Sequence, residues 1–113
     1  MTKITFYKKN NLFWGFKVEG HSGYGQAGTD IVCSAISTAT QMTVVGLGNV
    51  LKLKIDVKRD NKKAYLHCKL AKTAETNDVL KAQSWFETLK ICLEDIESDY
   101  KKYLNLEVKD EIN

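Results

Sequence analysis

The feature that most constrains the fold is a long apolar stripe in the C-terminal part of the chain. Its members recur at alternating spacings of three and four residues: Val79, Ala82, Phe86, Leu89, Leu93, Ile96, Tyr100 and Tyr103. Side chains at this spacing share one face of an α-helix, so the stripe predicts an amphipathic helix of about 25 residues that starts near Thr76 or Asn77. We expect its apolar face to pack on the dry face of a sheet, with a coiled-coil partner as the alternative.

Runs of alternating apolar and polar residues predict the strands of such a sheet. In chain order they cover residues 2–8, 12–19, 50–58, 64–70 and 104–108. In the second run, the alternation places Phe13 on the solvent side, where it is available for a contact with a second subunit. The third run is expected to bury Leu51, Leu53, Ile55 and Val57.

A second helix is predicted between the second and third strands. It begins near Asp30, with Thr29 or Asp30 as its cap, and ends at Gly46 or Gly48. Its expected buried face consists of Ile31, Ala35, Met42 and Val45, with Ile36 and Ala39 beside them. The resulting order, β-β-α-β-β-α-β, predicts an α+β fold in two layers: a mostly antiparallel sheet with two helices packed on one face. We expect all 113 residues to form a single domain.

The chemistry of the chain is concentrated between Glu19 and Ser37. This stretch places His21 on a loop with glycine at positions 20, 23, 25 and 28, and it places Cys33 in the first turn of the following helix. The N–H groups and partial positive charge of a helix N-terminus favour thiolate over thiol. A histidine brought close by the loop would complete a Cys/His pair for nucleophilic catalysis. Spare N–H groups of the helix start or the loop would stabilise an oxyanion, and His21 would protonate the leaving amine.

Each of these residues also has a purely structural interpretation. A free cysteine is most often a small core side chain. Asp30 either caps the helix, which we favour, or orients the imidazole. Ser37, one turn beyond Cys33, is either a polar neighbour of the site or a solvated serine. Cys68 and Cys92 have no helix start or glycine loop nearby, and we interpret both as structural.

Composition and spacing disfavour several other classes of protein. No metal and no cofactor are expected: zinc needs three or four ligands, His67 and Cys68 point to opposite strand faces, and the glycine loop lacks nucleotide-binding spacing. Three unpaired cysteines and the lack of a signal-peptide segment favour a cytoplasmic protein. No apolar run approaches the roughly 20 residues that span a bilayer. The net charge of +3 is spread out, so no direct nucleic-acid binding is expected.

The residues at 19–24 (Glu-Gly-His-Ser-Gly-Tyr) and 28–37 (Gly-Thr-Asp-Ile-Val-Cys-Ser-Ala-Ile-Ser) closely resemble the ribosomal-processing cysteine protease family Prp, also called the YsxB-like proteins. The family pattern is approximately Gly-His-Ala, a short glycine-containing loop, then Gly-x-Asp-Ile-Val-Cys-Ala-Ala-x-Ser. This chain departs from it at Ser22 and Ser34. By this resemblance, His21 corresponds to the catalytic histidine and Cys33 to the nucleophile. The resemblance also marks Asp30 and Ser37 as possible supporting residues. It assigns five positions to the substrate loop: Gly20, Ser22, Gly23, Tyr24 and Gly28.

The resemblance implies a homodimeric cytoplasmic endopeptidase. Its substrate would be the precursor of a large-subunit ribosomal protein, the one numbered twenty-seven, from which it removes an N-terminal extension rich in apolar and aromatic residues. Tyr24 is a candidate groove residue, and we expect His21 to approach Cys33 only when substrate orders the loop. The alternative is a non-catalytic ribosome-assembly or RNA-binding module of the same fold, for which the mild positive charge leaves room.

Overall fold

A computed structural model describes residues 1–26 and 28–110 of the chain, so position 27 of the predicted glycine loop lies outside the described residues. The strands are β1 (Thr2–Lys9), β2 (Leu12–Glu19), β3 (Ile55–Asp60), β4 (Tyr65–Leu70) and β5 (Leu104–Asp110). The helices are α1 (Ile31–Val45) and α2 (Thr76–Asp99), and a π-helical turn (Gly46–Val50) continues α1. The predicted order of strands and long helices is confirmed.

The five strands form one mixed sheet in the order β3-β4-β2-β1-β5. Three of the four strand pairs are antiparallel, and β1 and β5 run parallel. Helix α2 carries the chain from β4 across β2 and β1 to β5 at the edge of the sheet. Helices and strands share a single hydrophobic core, to which α1 contributes Val32 and Ile36. The predicted two-layer α+β architecture is therefore confirmed.

The apolar stripe of α2 faces this core as predicted. Its first five members are buried: Val79, Ala82, Phe86, Leu89 and Leu93. Tyr100 and Tyr103 lie beyond the last helical turn and pack on the edge of the core. The helix begins at Thr76, as predicted, and it follows Glu75, which makes no side-chain capping hydrogen bond. Burial of the stripe, with no contribution from a cap, holds this helix in place.

A β-bulge in β2 overturns the predicted orientation of Phe13. Tyr7 pairs with Gly15 and Lys8 pairs with Phe13, so Trp14 is an extra residue between them. The extra residue reverses the alternation and turns Phe13 into the core, where only 6% of it is exposed. Its ring lies 5.7 Å from that of Phe6, centroid to centroid. Phe13 is thus a core residue, and its predicted role at a subunit contact is wrong.

Residues 50–54 do not form the first half of β3, as their alternation predicted. The chain instead leaves the π-helical turn and crosses to the sheet, and the strand begins at Ile55. Leu53 is buried from this connection, where its N–H donates to the carbonyl of Leu47 at 3.0 Å. Of the four residues expected to be buried in this run, Leu53 alone is: Leu51 and Ile55 are half-buried, and Val57 is 38% exposed.

The predicted buried face of α1 is wrong for four of its six residues, because only Ile36 is buried and Ala39 half-buried. The helix buries Val32, Ile36, Thr40 and Thr43, and it exposes Ala35 and the larger Ile31, Met42 and Val45. The two threonine hydroxyls are tolerated in the core because each donates to a carbonyl four residues earlier, at 2.9 Å. At the end of α1, Gly46 allows the indole of Trp85 to approach so closely that an added Cβ would lie 2.3 Å from the ring.

With its π-helical turn, α1 forms a 20-residue helical segment, Ile31–Val50, with a mean hydropathy of 1.4. Among the described residues this is the one helix that is long and apolar enough to cross a membrane by length and composition, which the sequence analysis did not anticipate. A core helix of a soluble protein passes the same test, and this segment packs against α2.

Candidate active site

A groove of about 680 Å³ lies between α1 and the β3–β4 hairpin. Most of its lining comes from the loop after β2, residues 33–41 of α1 and the end of the hairpin, and Thr2 and Val18 complete it. Its lining includes His21, Cys33, Ser37, Gln41, Arg59 and Tyr65. The fold therefore brings both predicted catalytic residues to one groove.

Asp30 organises the base of the groove as the N-cap of α1, which is the role that the sequence analysis favoured. One carboxylate oxygen accepts hydrogen bonds from the N–H groups of Val32 and Cys33, at 3.0 and 2.9 Å. The other accepts from the hydroxyl of Ser22 at 2.5 Å and from the N–H of Gly25 at 3.2 Å. Burial alone would raise the pKa of Asp30, but the hydrogen bonds from Ser22, Cys33 and Gly25 outweigh it and lower that pKa to about 2. Asp30 is therefore ionised at neutral pH, and it joins the loop to the helix.

Ser22 connects this cap to the nucleophile. Its side chain is buried, where the hydroxyl donates to Asp30 and accepts from the N–H of Tyr24 at 3.2 Å. Held in this way, Ser22 directs its own N–H to Sγ of Cys33 at 3.3 Å. A donor aimed at the sulfur stabilises negative charge on it. From the sequence, Ser22 is only a loop residue and a departure from the family pattern, because no spacing rule reveals a contact made across a loop.

His21 lies exposed on the rim of the groove. Its Nε2 atom is 3.2 Å from the carbonyl oxygen of Lys62, on the turn between β3 and β4. Within residues 1–26 and 28–110, no hydrogen bond joins His21 to Cys33. The expectation of a dyad that assembles with substrate agrees with this arrangement and stays a prediction.

The remaining loop positions anchor and bend the segment. Gly20, Gly23 and Gly28 have φ angles of +85°, +78° and +87°, the left-handed region that favours glycine. Tyr24 does not line the groove as expected. Its ring packs against those of Tyr100 and Tyr103, with centroids 5.4 and 5.1 Å away, and so ties the loop to the end of α2.

Ser37 lies in the groove one turn beyond Cys33. Its side chain is exposed, and its hydroxyl oxygen accepts a hydrogen bond from the amide of Gln41 at 3.2 Å. The structure therefore places Ser37 as an exposed polar group on the groove wall.

The other two cysteines lie outside the groove. Cys68 is fully buried in β4, and burial raises the pKa of its thiol to about 12, so it is inert as interpreted. Cys92 is exposed on α2, whereas the sequence analysis had treated it as a structural residue. In the part of the chain that the structure describes, no group of three or more His, Cys, Asp or Glu side chains is arranged to hold a metal ion.

The site combines a half-buried thiol in the first turn of a helix, a backbone donor on its sulfur and a histidine on the same groove, which is the set of groups that a cysteine-dependent hydrolase uses. The family model described as "Cysteine protease Prp" matches residues 1–105. The chain therefore belongs to the Prp family of ribosomal-processing cysteine proteases, and the resemblance seen in its motifs is confirmed.

Similar proteins agree with this assignment. The ribosomal processing cysteine protease Prp of Staphylococcus aureus is 27% identical over 92 residues, which are 81% of this chain and 83% of that protein. A crystal structure of a Streptococcus mutans protein matches with a TM-score of 0.85 at 22% identity, covering 98% of this chain and 96% of that one. S. aureus Prp with a covalently linked product peptide matches with a TM-score of 0.84 at 22% identity, covering 96% of this chain and all of the other. These structural matches establish the shared fold.

Proposed function

We propose that this cysteine protease is an endopeptidase that removes the N-terminal extension of a large-subunit ribosomal protein, the one numbered twenty-seven. Cys33 is its nucleophile, and His21 is its general base and acid. The observation that carries the assignment is the N–H of Ser22 on Sγ of Cys33, in a groove that His21 also lines. The ribosomal-processing activity in the name of the S. aureus relative supports this choice of substrate.

The reaction starts with transfer of the Cys33 proton to His21. The thiolate then attacks the carbonyl carbon of the scissile bond: a C–S bond forms, and the π electrons move to the oxygen. The resulting oxyanion needs a preorganised donor. The N–H groups of Val32 and Cys33 are already used by the carboxylate of Asp30, so the helix start has fewer spare donors than the sequence analysis assumed. The N–H of Ser22, 3.3 Å from the attacking sulfur, is the donor that we assign to the oxyanion.

Collapse of this intermediate breaks the C–N bond. The imidazolium of His21 gives its proton to the leaving amine, and the N-terminal extension stays on Cys33 as a thioester. Water, deprotonated by His21, then attacks the thioester carbon; a C–O bond forms, the C–S bond breaks, the extension leaves with a new carboxylate, and the imidazolium returns its proton to the thiolate of Cys33. Asp30 takes no proton in this cycle. It holds Ser22 and the helix start in register, and Ser37 contacts the peptide from the groove wall.

We further propose that the protein is a homodimer in the cytoplasm and that α1 forms the subunit contact. Ile31, Met42 and Val45 are 54%, 60% and 51% exposed, on the helix face opposite the core. The helix carries no charged residue, so this face offers nothing to an acidic or basic partner and suits a second copy of itself. Light scattering of the wild-type protein should give the mass of a dimer, and Met42→Glu should give that of a monomer. A monomeric wild type would refute this contact.

The non-catalytic alternative gains no support from the site. A nucleic-acid module would need clustered cations. The lining of this groove includes a single arginine, Arg59, and the cysteine that we propose as the nucleophile. Family membership also assigns the chain to the proteases.

Processing of the natural substrate tests the proposal. The full-length precursor of the ribosomal protein would be incubated with wild-type protein, with Cys33→Ala and with His21→Ala, and the products identified by N-terminal sequencing. We expect one new N-terminus with the wild type, none with Cys33→Ala, and slow processing with His21→Ala. Intact precursor in all three reactions would contradict the proposed function.

A further inference from the structure

The imidazole of His21 makes a directed contact with the β3–β4 turn. Its Nε2 atom lies 3.2 Å from the carbonyl oxygen of Lys62. A backbone carbonyl only accepts hydrogen bonds, so this ring nitrogen must carry the proton. In the neutral imidazole, the lone pair then resides on Nδ1, which is the nitrogen left to act as a base.

We propose that the backbone carbonyl of Lys62 is a positioning group for the catalytic histidine. It fixes the Nε2–H tautomer of His21 and leaves Nδ1 as the atom that exchanges the proton with Cys33. This inference rests on the proposed function, since it assigns a third member to the Cys33 and His21 pair. A base oriented by a third group is a recurring arrangement in nucleophilic catalysis, and here the group belongs to the main chain.

The turn is built to hold that carbonyl in place. One carboxylate oxygen of Asp60 accepts from the N–H groups of Lys62 and Lys63, at 3.1 and 3.3 Å. The carbonyl of Ala64 accepts from the N–H of Gly20 at 3.1 Å. The turn is therefore braced from within by Asp60 and joined to the residue that immediately precedes His21, so the imidazole and its acceptor keep a fixed relation.

The contact also suits the charge that develops during the reaction. When Nδ1 takes the proton of Cys33, the ring becomes cationic, and the Nε2–H hydrogen bond to Lys62 becomes charge-assisted. Hydrogen bonds of this kind are roughly twice as strong as those between neutral groups. The carbonyl thus stabilises the imidazolium more than the neutral ring, which favours the proton transfer that creates the thiolate.

The alternative is a restraint: the contact would have to break before His21 could reach Cys33, whereas in our proposal it persists when substrate orders the loop and brings His21 to Cys33. The positioning role and the restraining role predict opposite changes in the rate of peptide cleavage when the turn is loosened. Loss of a positioning group lowers the rate of peptide cleavage, whereas loss of a restraint raises it.

The first measurement reads the tautomer directly. In the full-length protein with ¹⁵N-labelled histidine, two-dimensional NMR of the imidazole nitrogens distinguishes a protonated Nε2 from a protonated Nδ1. We expect the Nε2–H form for His21, assigned by its loss in His21→Gln. The Nδ1–H form, or a mixture of equal parts, would overturn the inference whether or not the protein cleaves a peptide.

The second measurement asks whether the contact matters for the reaction. Asp60→Ala removes the brace and should lower kcat about tenfold with KM little changed, a part of the 10²–10⁴ that a positioned acid–base group contributes. Asp60→Asn keeps an acceptor oxygen and should restore most of the rate. Lys63→Ala, which shortens an exposed side chain of the same turn, is the matched control and should behave as wild type.

Thermal melting of each variant separates these effects from unfolding. A faster Asp60→Ala enzyme would show that the contact restrains His21, and an unchanged rate together with an unchanged tautomer would show that the brace is irrelevant. Either result overturns the inference. Lack of cleavage by the wild type would instead defeat the proposed function, while the NMR measurement would still decide whether Lys62 fixes the imidazole.

Discussion

Replacement of Asp30 by asparagine tests whether the capping carboxylate holds the site together. Asp30 is 4% exposed, and its pKa is lowered from 3.8 to about 2. At roughly 1.36 kcal/mol per pKa unit, the lowering of this pKa corresponds to about 2–3 kcal/mol of stability. The asparagine side chain would still cap α1 through its amide oxygen. Its NH₂ group, however, would take the place of the oxygen that accepts from Ser22 and Gly25.

The sign of the pH dependence follows from the direction of the shift. Because the folded-state pKa is lowered, the unfolded chain binds the proton more tightly. The stabilisation is therefore complete at neutral pH and is lost as the pH falls from about 5 to 1. Asp30→Asn should lower the free energy of unfolding by about 2–3 kcal/mol at pH 7, and its difference from wild type should shrink steadily below about pH 4.

Urea denaturation followed by circular dichroism, at pH values from 7 down to 2.5, measures this difference. Asp95→Asn, which removes an exposed carboxylate of α2, is the control and should change stability by less than about 0.5 kcal/mol. If Asp30→Asn lowers the free energy of unfolding by the same amount at every pH, the charge of Asp30 is not the source of the stabilisation. A loss no larger than that of the control would refute the role of Asp30 as the link between the loop and the helix.

Three further predictions concern the packing and reactivity around the site. Ser22→Ala removes a buried hydrogen bond to a carboxylate and should cost about 1.5–3 kcal/mol in urea denaturation; a neutral effect would contradict the contact. Gly46→Ala should cost about 1–3 kcal/mol because the new Cβ meets the indole of Trp85, and Trp85→Leu should relieve most of that loss; equal losses with and without the indole would disprove the clash. Iodoacetamide near neutral pH should modify Cys33 in the folded protein and Cys68 only after unfolding, as read by peptide mass spectrometry, because burial raises the pKa of the Cys68 thiol to about 12; early labelling of Cys68 would contradict its burial.

The sequence correctly predicts a helix or strand, and the face that it buries, where its pattern of apolar and polar residues has only one interpretation. The stripe of α2 is apolar on one face and charged on the other, so its orientation follows directly. Helix α1 has no charged residue and apolar side chains all round, so its pattern does not tell which face is buried, and the predicted face is wrong for four of its six residues. Phe13 could not be oriented because a bulge adds one residue to β2 without changing the polarity of its neighbours.

The same distinction holds for the site. His21, Cys33 and the cap Asp30 belong to a local motif, and the structure places all three at or around one groove. The contacts of Ser22 with the sulfur and of Lys62 with the imidazole involve backbone atoms, 11 and 41 residues from their partners. Backbone groups have the same chemistry at every position, so only the three-dimensional structure shows which of them face the reacting atoms.

The most direct test of the account follows the covalent step on Cys33. A peptide that copies the N-terminal extension and the first mature residues of the host's ribosomal protein would be mixed with wild type and with Cys33→Ala, then quenched in acid at intervals for mass spectrometry. The account predicts one cleavage in the peptide. It also predicts a transient addition of the N-terminal fragment to the protein at Cys33, both absent from Cys33→Ala. Cleavage by Cys33→Ala, or an adduct on any other residue, would contradict the central claim that Cys33 is the nucleophile.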